Sequence, residues 1–279
     1  MNNYLNHTFD SDDPELISII DELPLWSAPF GLNLLDNVQL KPNINVLDIG
    51  CGMGFPLIEL SQRFGKSSKF YGLDPWLSAL KRAQAKIHKY KITNTIVIKS
   101  IAEKLPFKNN SFDLIVSNNG INNVQDIKQT LSECFRVSNP DVQFLMTMNL
   151  EDSMIEFYNV FEEILIENIL IEEVRKMKDH IYSKRKPIKE MRSLIEDSGF
   201  KVKNIVEDNF SLRFLNALAM FNHPLIKYWF LGSWKEILKT ENHESIFQQV
   251  ETKLNKIAKQ NGQIKLTIPY VLIDCIGRI

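Results

Sequence analysis

Three glycines at alternate positions, Gly50, Gly52 and Gly54, follow the apolar run Asn45-Val46-Leu47-Asp48-Ile49, which carries an acid next to its end. A second acid, Asp74, closes the next apolar run, Phe70-Tyr71-Gly72-Leu73. Glycine lets a backbone approach a ligand where a Cβ would collide. An ionised carboxylate only accepts hydrogen bonds, so at a strand end it suits the two hydroxyls of a ribose. Strand, tight turn, helix and strand in this order is how an open parallel sheet builds a nucleoside site at the carboxyl ends of its strands. A dinucleotide loop requires G-x-G-x-x-G, and Phe55 stands where its third glycine belongs. A Walker loop is absent as well, because no Gly-Lys-Ser/Thr follows.

The elements that must position these residues are legible around them. Apolar runs at 45–49, 69–73, 95–99, 112–117 and 142–149 predict strands, and 55–65, 76–90 and 126–137 predict the helices between them. Near-continuous apolar strands with short connections predict a parallel sheet buried on both faces. Before it, Asp13-Pro14-Glu15 predicts a helix start with Ile17, Ile19 and Ile20 on the apolar side, and Leu32–Val38 a second helix. The segment Leu23 to Gly31, with two prolines around Trp26, is expected to be a formed loop: Trp26 and Phe30 either pack over the sheet edge or close a pocket as a lid. Residues 151–180 predict a long amphipathic helix or a helix pair, and Pro187–Ser198 a helix stopped by Gly199. A sixth strand is expected at 201–208 and a seventh at 264–276, where Ile264, Leu266 and Ile268 alternate. Between them, Arg213–Phe221 and Ser245–Lys259 predict helices, separated by an aromatic-rich stretch that holds Tyr228, Trp229, Phe230 and Trp234.

The D-x-G-x-G-x-G form of Asp48 to Gly54 resembles motif one of class I S-adenosylmethionine-dependent methyltransferases. Later blocks match that family in order. Ala102-Glu103-Lys104-Leu105-Pro106-Phe107 is similar to the adenine-side loop of the ubiquinone/menaquinone-biosynthesis type, and Ser111-Phe112-Asp113-Leu114-Ile115 to motif four. Arg136-Val137-Ser138-Asn139-Pro140-Asp141 resembles the family's turn before strand five, with Asp141 in place of a glycine. Leu25–Phe30 and Ser117–Val124 are similar to flanks seen in bacterial methyltransferase-domain proteins. The resemblance covers residues 43–150, with a weaker match near 187–209.

The resemblance implies an α/β, Rossmann-like, doubly wound seven-stranded sheet, mostly parallel with an antiparallel last strand inserted between strands five and six, plus a helical cap. It implies S-adenosyl-L-methionine as cofactor and S-adenosyl-L-homocysteine as product. Asp48, Gly50, Cys51, Gly52 and Gly54 would line the methionine and ribose side, and Asp74 would take the ribose diol. Pro75, Trp76 and Leu77 would flank the adenine, with Ala102 and Glu103 at its other edge. Asn118 and Asn119, past strand four, would orient the acceptor or the methionine amino group. Each of these acids and amides has a plainer reading as a cap or turn residue. Methyl transfer from a sulfonium needs mainly alignment and desolvation, so no catalytic dyad is required. Where a base is needed, His180, Tyr182, His223 and Tyr4 are candidates by type alone.

Three domains are expected: an N-terminal helical lid at 1–44, a cofactor-binding domain at 45–208 and 264–279, and a helical cap at 209–263. The cap's aromatic residues are core, acceptor pocket or dimer face, so a homodimer through the cap is among the expectations. The seven cations from Arg175 to Lys189 form either a solvated face or an attraction for a carboxylate or phosphate on the acceptor.

Composition bounds the rest. At 279 residues, with 44% apolar and 24% charged residues, the chain has the make-up of an ordinary soluble globular protein. A net charge of −1 offers no field to hold a nucleic-acid backbone, so a small-molecule acceptor is favoured over DNA or RNA. Neither a secretory signal nor a membrane span is expected. Cys51, Cys134 and Cys275 are far apart and odd in number, which fits a reduced, cytoplasmic protein without a metal site. Two alternatives stand beside methyl transfer: another group transfer from an S-adenosylmethionine derivative, and a non-catalytic cofactor-binding protein.

Overall fold

The computed structural model describes residues 3–6, 9–22 and 25–277. Leu23 and Pro24 of the expected lid, and the last two residues of the chain, lie outside them. Two helices come first, α1 (Pro14–Asp21) and α2 (Ser27–Asn37). Then β1 (Asn45–Ile49), α3 (Leu57–Phe64), β2 (Lys69–Asp74), α4 (Leu77–Lys89), β3 (Thr95–Lys99), β4 (Phe112–Asn118), α5 (Ile127–Val137) and β5 (Ser138–Asn149) alternate. The remainder is α6 (Ile155–Glu167), α7 (Ile171–Lys184), α8 (Ile188–Asp197), β6 (Phe200–Phe214), α9 (Ala217–Asn222), α10 (Pro224–Trp229), α11 (Leu231–Glu236), α12 (His243–Asn261) and β7 (Ile264–Gly277).

The seven strands form one sheet in the order β3-β2-β1-β4-β5-β7-β6. Strands β1 to β5 pair in parallel, and β7 runs antiparallel to β5, with Gln143 opposite Ile276 and Asn149 opposite Tyr270. The expected Rossmann-like sheet with its inserted antiparallel strand is therefore the observed fold. Strand order reverses between β1 and β4, so the exits of these two strands flank the crevice in which such sheets bind ligands.

The chain makes two compact units. The sheet unit is Ser11–Asn149, Pro187–Asp208 and Tyr270–Ile279; the helical unit is Met1–Asp10, Leu150–Lys186 and Asn209–Pro269. The sheet unit's core joins Val46, Phe70, Leu114, Val116, Leu145 and Leu272 of the strands to Leu34 of α2, Leu57 and Leu60 of α3 and Leu80 of α4. The helical unit's core is aromatic. Trp234 and Phe157 stack with centroids 3.8 Å apart, and Phe221 packs against Trp234 and Phe247. Tyr4 stacks on Phe221 at 4.7 Å and donates to Glu251 Oε2 at 3.1 Å. The first turn of the chain is thus built into this core, and Leu150–Lys186 shares it with the segment expected to form the cap alone.

Three local expectations are corrected. Helix α2 begins at Ser27 rather than Leu32, because Pro29 falls in its first turn, where the missing N–H would have no partner anyway. Strand β6 continues to Phe214, and the helix expected from Arg213 starts at Ala217, capped by Asn216 on the Ala219 N–H at 2.8 Å. On α1 only Ile17 is buried, and Ile19 is 52% exposed.

Candidate functional site

At the carboxyl end of β1 the chain turns through Gly50, Gly52 and Gly54, all with positive φ (75°, 50° and 102°). The Gly50 and Cys51 N–H groups donate to Leu73 O at 2.8 and 3.1 Å, which ties the turn to the end of β2. The three glycines do different work. A Cβ on Gly50 would stand 3.0 Å from Gly120 Cα, so this glycine permits close approach of the β1 and β4 exits. A Cβ on Gly54 would strike Ile58 and Ala83, so this one lets α3 and α4 pack. A Cβ on Gly52 would meet no heavy atom within 4 Å: this is the open side of the loop. Cys51 turns inward, 1% exposed, and its sulfur fills the space left by Gly72.

Asp74 ends β2 and is 9% exposed. Its Oδ2 accepts from the Gly52 N–H at 2.9 Å and its Oδ1 from the Trp76 N–H at 2.8 Å. It is therefore a turn residue, and each oxygen keeps a second lone pair for another donor. Burial pushes its carboxyl up, opposed by these two amides. Trp76 is held by its indole N–H on Ser11 O at 2.9 Å; Pro75 beside it is exposed.

Asp48 lies beneath the loop, fully buried, and neither carboxylate oxygen has a hydrogen-bond partner. Burial and the nearby Asp74 charge push it up to about 8, opposed by the field of the Leu57 amide. That amide acts through space, since it makes no bond of proper geometry to either oxygen. A protonated Asp48 beside Asp74 is what two carboxyls at close quarters give without a neighbouring cation.

Past the end of β3, Ala102 is buried. Glu103 accepts from the Gln125 and Asp126 N–H groups at 2.8 and 3.3 Å and so fixes the turn before α5. Asn118 and Asn119 are both committed to the scaffold. Asn118 Nδ2 donates to Ser27 O at 3.0 Å and its Oδ1 accepts from Thr147 at 2.9 Å, which seats α2 on the strand ends. Asn119, at φ 56°, accepts through Oδ1 from Asn122 Nδ2 at 3.1 Å and the Asn149 N–H at 3.3 Å. Asn122, which the sequence reading passed over, is the amide with capacity to spare. Its Nδ2 also donates to Asn149 Oδ1 at 2.7 Å, while its own Oδ1 is buried without a partner. Its only sequence signal is the run Asn118-Asn119-Gly120-Ile121-Asn122-Asn123.

Helix α2 passes close over the loop. Phe55 lies against Gly31, where a Cβ would come within 2.2 Å of its ring. Phe30 is fully buried and meets Tyr270 edge-on at 4.9 Å. Tyr270 accepts from Asn33 Nδ2 and donates to Asp208 Oδ2, both at 3.1 Å. These contacts give Phe30 the packing role. Segment 11–21 is latched beside Trp76, where Asp21 pairs with Arg82 at 2.7 Å and Lys86 at 2.8 Å.

The sheet-unit candidates therefore gather at the ends of β1, β2 and β4. The candidate bases by type belong to the helical unit. His180 sits on α7, its pKa lowered by burial and by Arg185 and Lys184. Tyr182 is 51% exposed under Lys186. His223 caps a helix break against Phe214, and Tyr4 is core.

The site's chemistry suits a ligand bearing hydroxyl donors and positive charge: a carboxylate with spare lone pairs, a buried carboxyl and a buried amide oxygen without partners, and a loop with an open side. Among the described residues no cluster of potential ligands could hold a metal ion.

Comparison with known proteins gives this geometry a family. A family profile described as "Methyltransferase domain" matches residues 40–239. A demethylmenaquinone methyltransferase of Lactiplantibacillus plantarum is 33% identical over 109 residues, 39% of this chain and 46% of that protein. The chain spans about half the length of the curated relatives it matches. The YcgJ protein of Bacillus subtilis superposes with a TM-score of 0.60 at 18% identity, covering 90% of this chain and 99% of its own. A SAM-dependent methyltransferase of Aquifex aeolicus gives 0.53 at 18% identity, covering 95% and 98%. At such identities the two structures speak for the fold alone.

Proposed function

Because the chain belongs to the methyltransferase-domain family, we propose that it is an S-adenosylmethionine-dependent methyltransferase acting on a small, partly apolar acceptor. The observation that carries this proposal is Asp74. Its two oxygens each hold one backbone N–H, from Gly52 and Trp76, and keep lone pairs suited to a ribose diol. Gly52 gives the cofactor its open approach to the backbone, and Trp76, fixed through Ser11, walls the adenine side. Glu103 holds the far edge through the turn before α5. The unpartnered Oδ1 of Asn122 and the carboxyl of Asp48 are the groups left for the N–H-bearing methionine end.

S-adenosylmethionine brings a methyl already activated on a sulfonium, so the protein's task is alignment and exclusion of water. Asn118 and Asn119 serve that task at one remove, by seating α2 and the β4 exit. The likeness to demethylmenaquinone methyltransferases spans 39% of the chain. No described helix is long and apolar enough to cross a membrane, and the three cysteines are free and buried; both are compatible with the cytoplasmic setting that belongs to the proposal.

Replacing Asp74 by Ala should weaken S-adenosylhomocysteine binding by about 1–3 kcal/mol through the lost ribose bonds, measured by calorimetry on a sample with unchanged circular dichroism. Unchanged affinity would remove the ribose assignment.

A further inference from the structure

The basic stretch Arg175 to Lys189 resolves into unlike residues. Arg175 pairs with Glu172 at 2.7 Å and Lys178 with Glu162 at 2.7 Å, both near solvent. Lys186 stands over the Tyr182 ring at 4.5 Å. Arg185 differs from these: it is 3% exposed, and among the described residues no carboxylate lies within ion-pair distance of its guanidinium. An arginine stays charged in any protein environment, and a buried charge without a counter-charge is costly.

Its surroundings deepen the imbalance. Arg185 Nη1 donates to Ser153 O at 2.9 Å, and Nη2 contacts the Tyr158 hydroxyl at 3.5 Å with the guanidinium over the same ring at 5.1 Å. The Tyr158 oxygen also receives the Trp234 indole N–H at 3.0 Å. Arginine and the indole are donors only. The Tyr158 oxygen is thus used twice as an acceptor, and its own hydroxyl hydrogen has no acceptor among the described residues, although Tyr158 is 2% exposed. Three donor groups converge on one buried spot where the acceptors are Ser153 O and the shared phenol oxygen. His180, its pKa lowered by burial and by Arg185 itself, brings no negative charge. Helix α6 opens two residues after Ser153 without a side-chain cap, which adds its partial positive end.

We propose that Arg185 and Tyr158 form an anion site in the helical unit that takes the carboxylate or phosphate group of a small organic ligand. The oxyanion accepts from the guanidinium and from the Tyr158 hydroxyl, so both the unpaired charge and the idle O–H are satisfied together. Phe157 and Trp234 pack on the Tyr158 ring and make its surroundings apolar, which favours a weakly hydrated organic anion over a strongly hydrated inorganic one. The site stands apart from the methyl-transfer proposal, since it rests on residues of the helical unit alone.

The test is calorimetric titration of the full chain with benzoate, phenyl phosphate and inorganic phosphate at constant ionic strength, for the wild type, Arg185→Gln and Tyr158→Phe. Saturable binding of benzoate or phenyl phosphate, tighter than inorganic phosphate, is expected. Arg185→Gln should weaken it at least about tenfold and Tyr158→Phe by less. Equal, Arg185-dependent binding of inorganic phosphate would assign the site to the free ion and overturn the organic ligand. No saturable binding by folded wild type, or binding unchanged in both variants, would overturn the site itself. Should Arg185→Gln fail to fold, Tyr158→Phe and Arg185→Lys decide by the same criteria. S-adenosylhomocysteine titrated in parallel separates the two proposals, since its failure to bind leaves this site untouched.

Discussion

The two units of the chain carry opposite deficits. At the strand ends of the sheet unit the buried groups left without partners, Asp48 and Oδ1 of Asn122, offer mainly acceptor oxygens, while Thr95 and Thr130, also unpartnered in this unit, are hydroxyls that donate as well. In the helical unit, around Arg185, Tyr158 and Trp234, the surplus is of donors. Buried polar groups are normally paired, so each deficit describes the chemistry it lacks. The sheet unit calls for a ligand rich in hydroxyls, N–H groups and positive charge. The helical unit calls for an oxyanion.

The sharpest way to break this comparison is at the open side of the glycine loop. Gly52→Val puts a β-branched residue at φ 50° and fills the side that now meets nothing. S-adenosylhomocysteine binding should be lost while the circular dichroism spectrum stays close to that of the wild type; a variant that still binds would move the ligand off this loop.

Trp234→Ala probes the other unit. Loss of a fully buried indole stacked on Phe157 should cost about 3–5 kcal/mol in denaturant unfolding. A cost under about 1 kcal/mol would deny the aromatic cluster its role as that unit's core.

Asn118→Ala is expected to cost less, about 1–3 kcal/mol, because it strands Ser27 O and the Thr147 hydroxyl. Were Asn118 instead a direct ligand contact, cofactor affinity would fall with stability unchanged.

The most specific effect is a pH slope. Asp48 has a folded pKa of about 8 against an ordinary 3.8. Its raised value stabilises the folded state below the ordinary pKa, and that contribution is lost as pH rises toward 8. Asp48→Asn has no such slope. Its stability relative to the wild type should therefore improve from about pH 5 to about pH 8 and then level off. A constant difference across that range would mean that Asp48 is ionised throughout.

Much of the sheet unit was legible because its signals are local. Strand β1 falls on the apolar run before the glycines, and the loop, Asp74 and strand β7 follow from patterns within a few residues, whereas the place of β7 in the sheet follows from the family resemblance. What was not legible depends on partners far away in sequence. Nothing near Asn118 announces that Ser27 O will occupy its amide, and nothing near Gly31 announces the Phe55 ring. The helical unit shows the same limit more strongly. Residues 4, 157, 221, 234 and 247 meet in one core, and no short-range periodicity links them. The cation run at 175–189 was visible as composition, but only the fold distinguishes the buried Arg185 from its solvated neighbours.

The central claim, that the sheet unit's acceptor-rich crevice is an S-adenosylmethionine site, is tested most directly by calorimetric titration of the purified chain with S-adenosylmethionine, S-adenosylhomocysteine and NADH. Micromolar binding of the two sulfur ligands and none of NADH is the predicted result. A folded sample that binds neither sulfur ligand, or that prefers NADH, would contradict it.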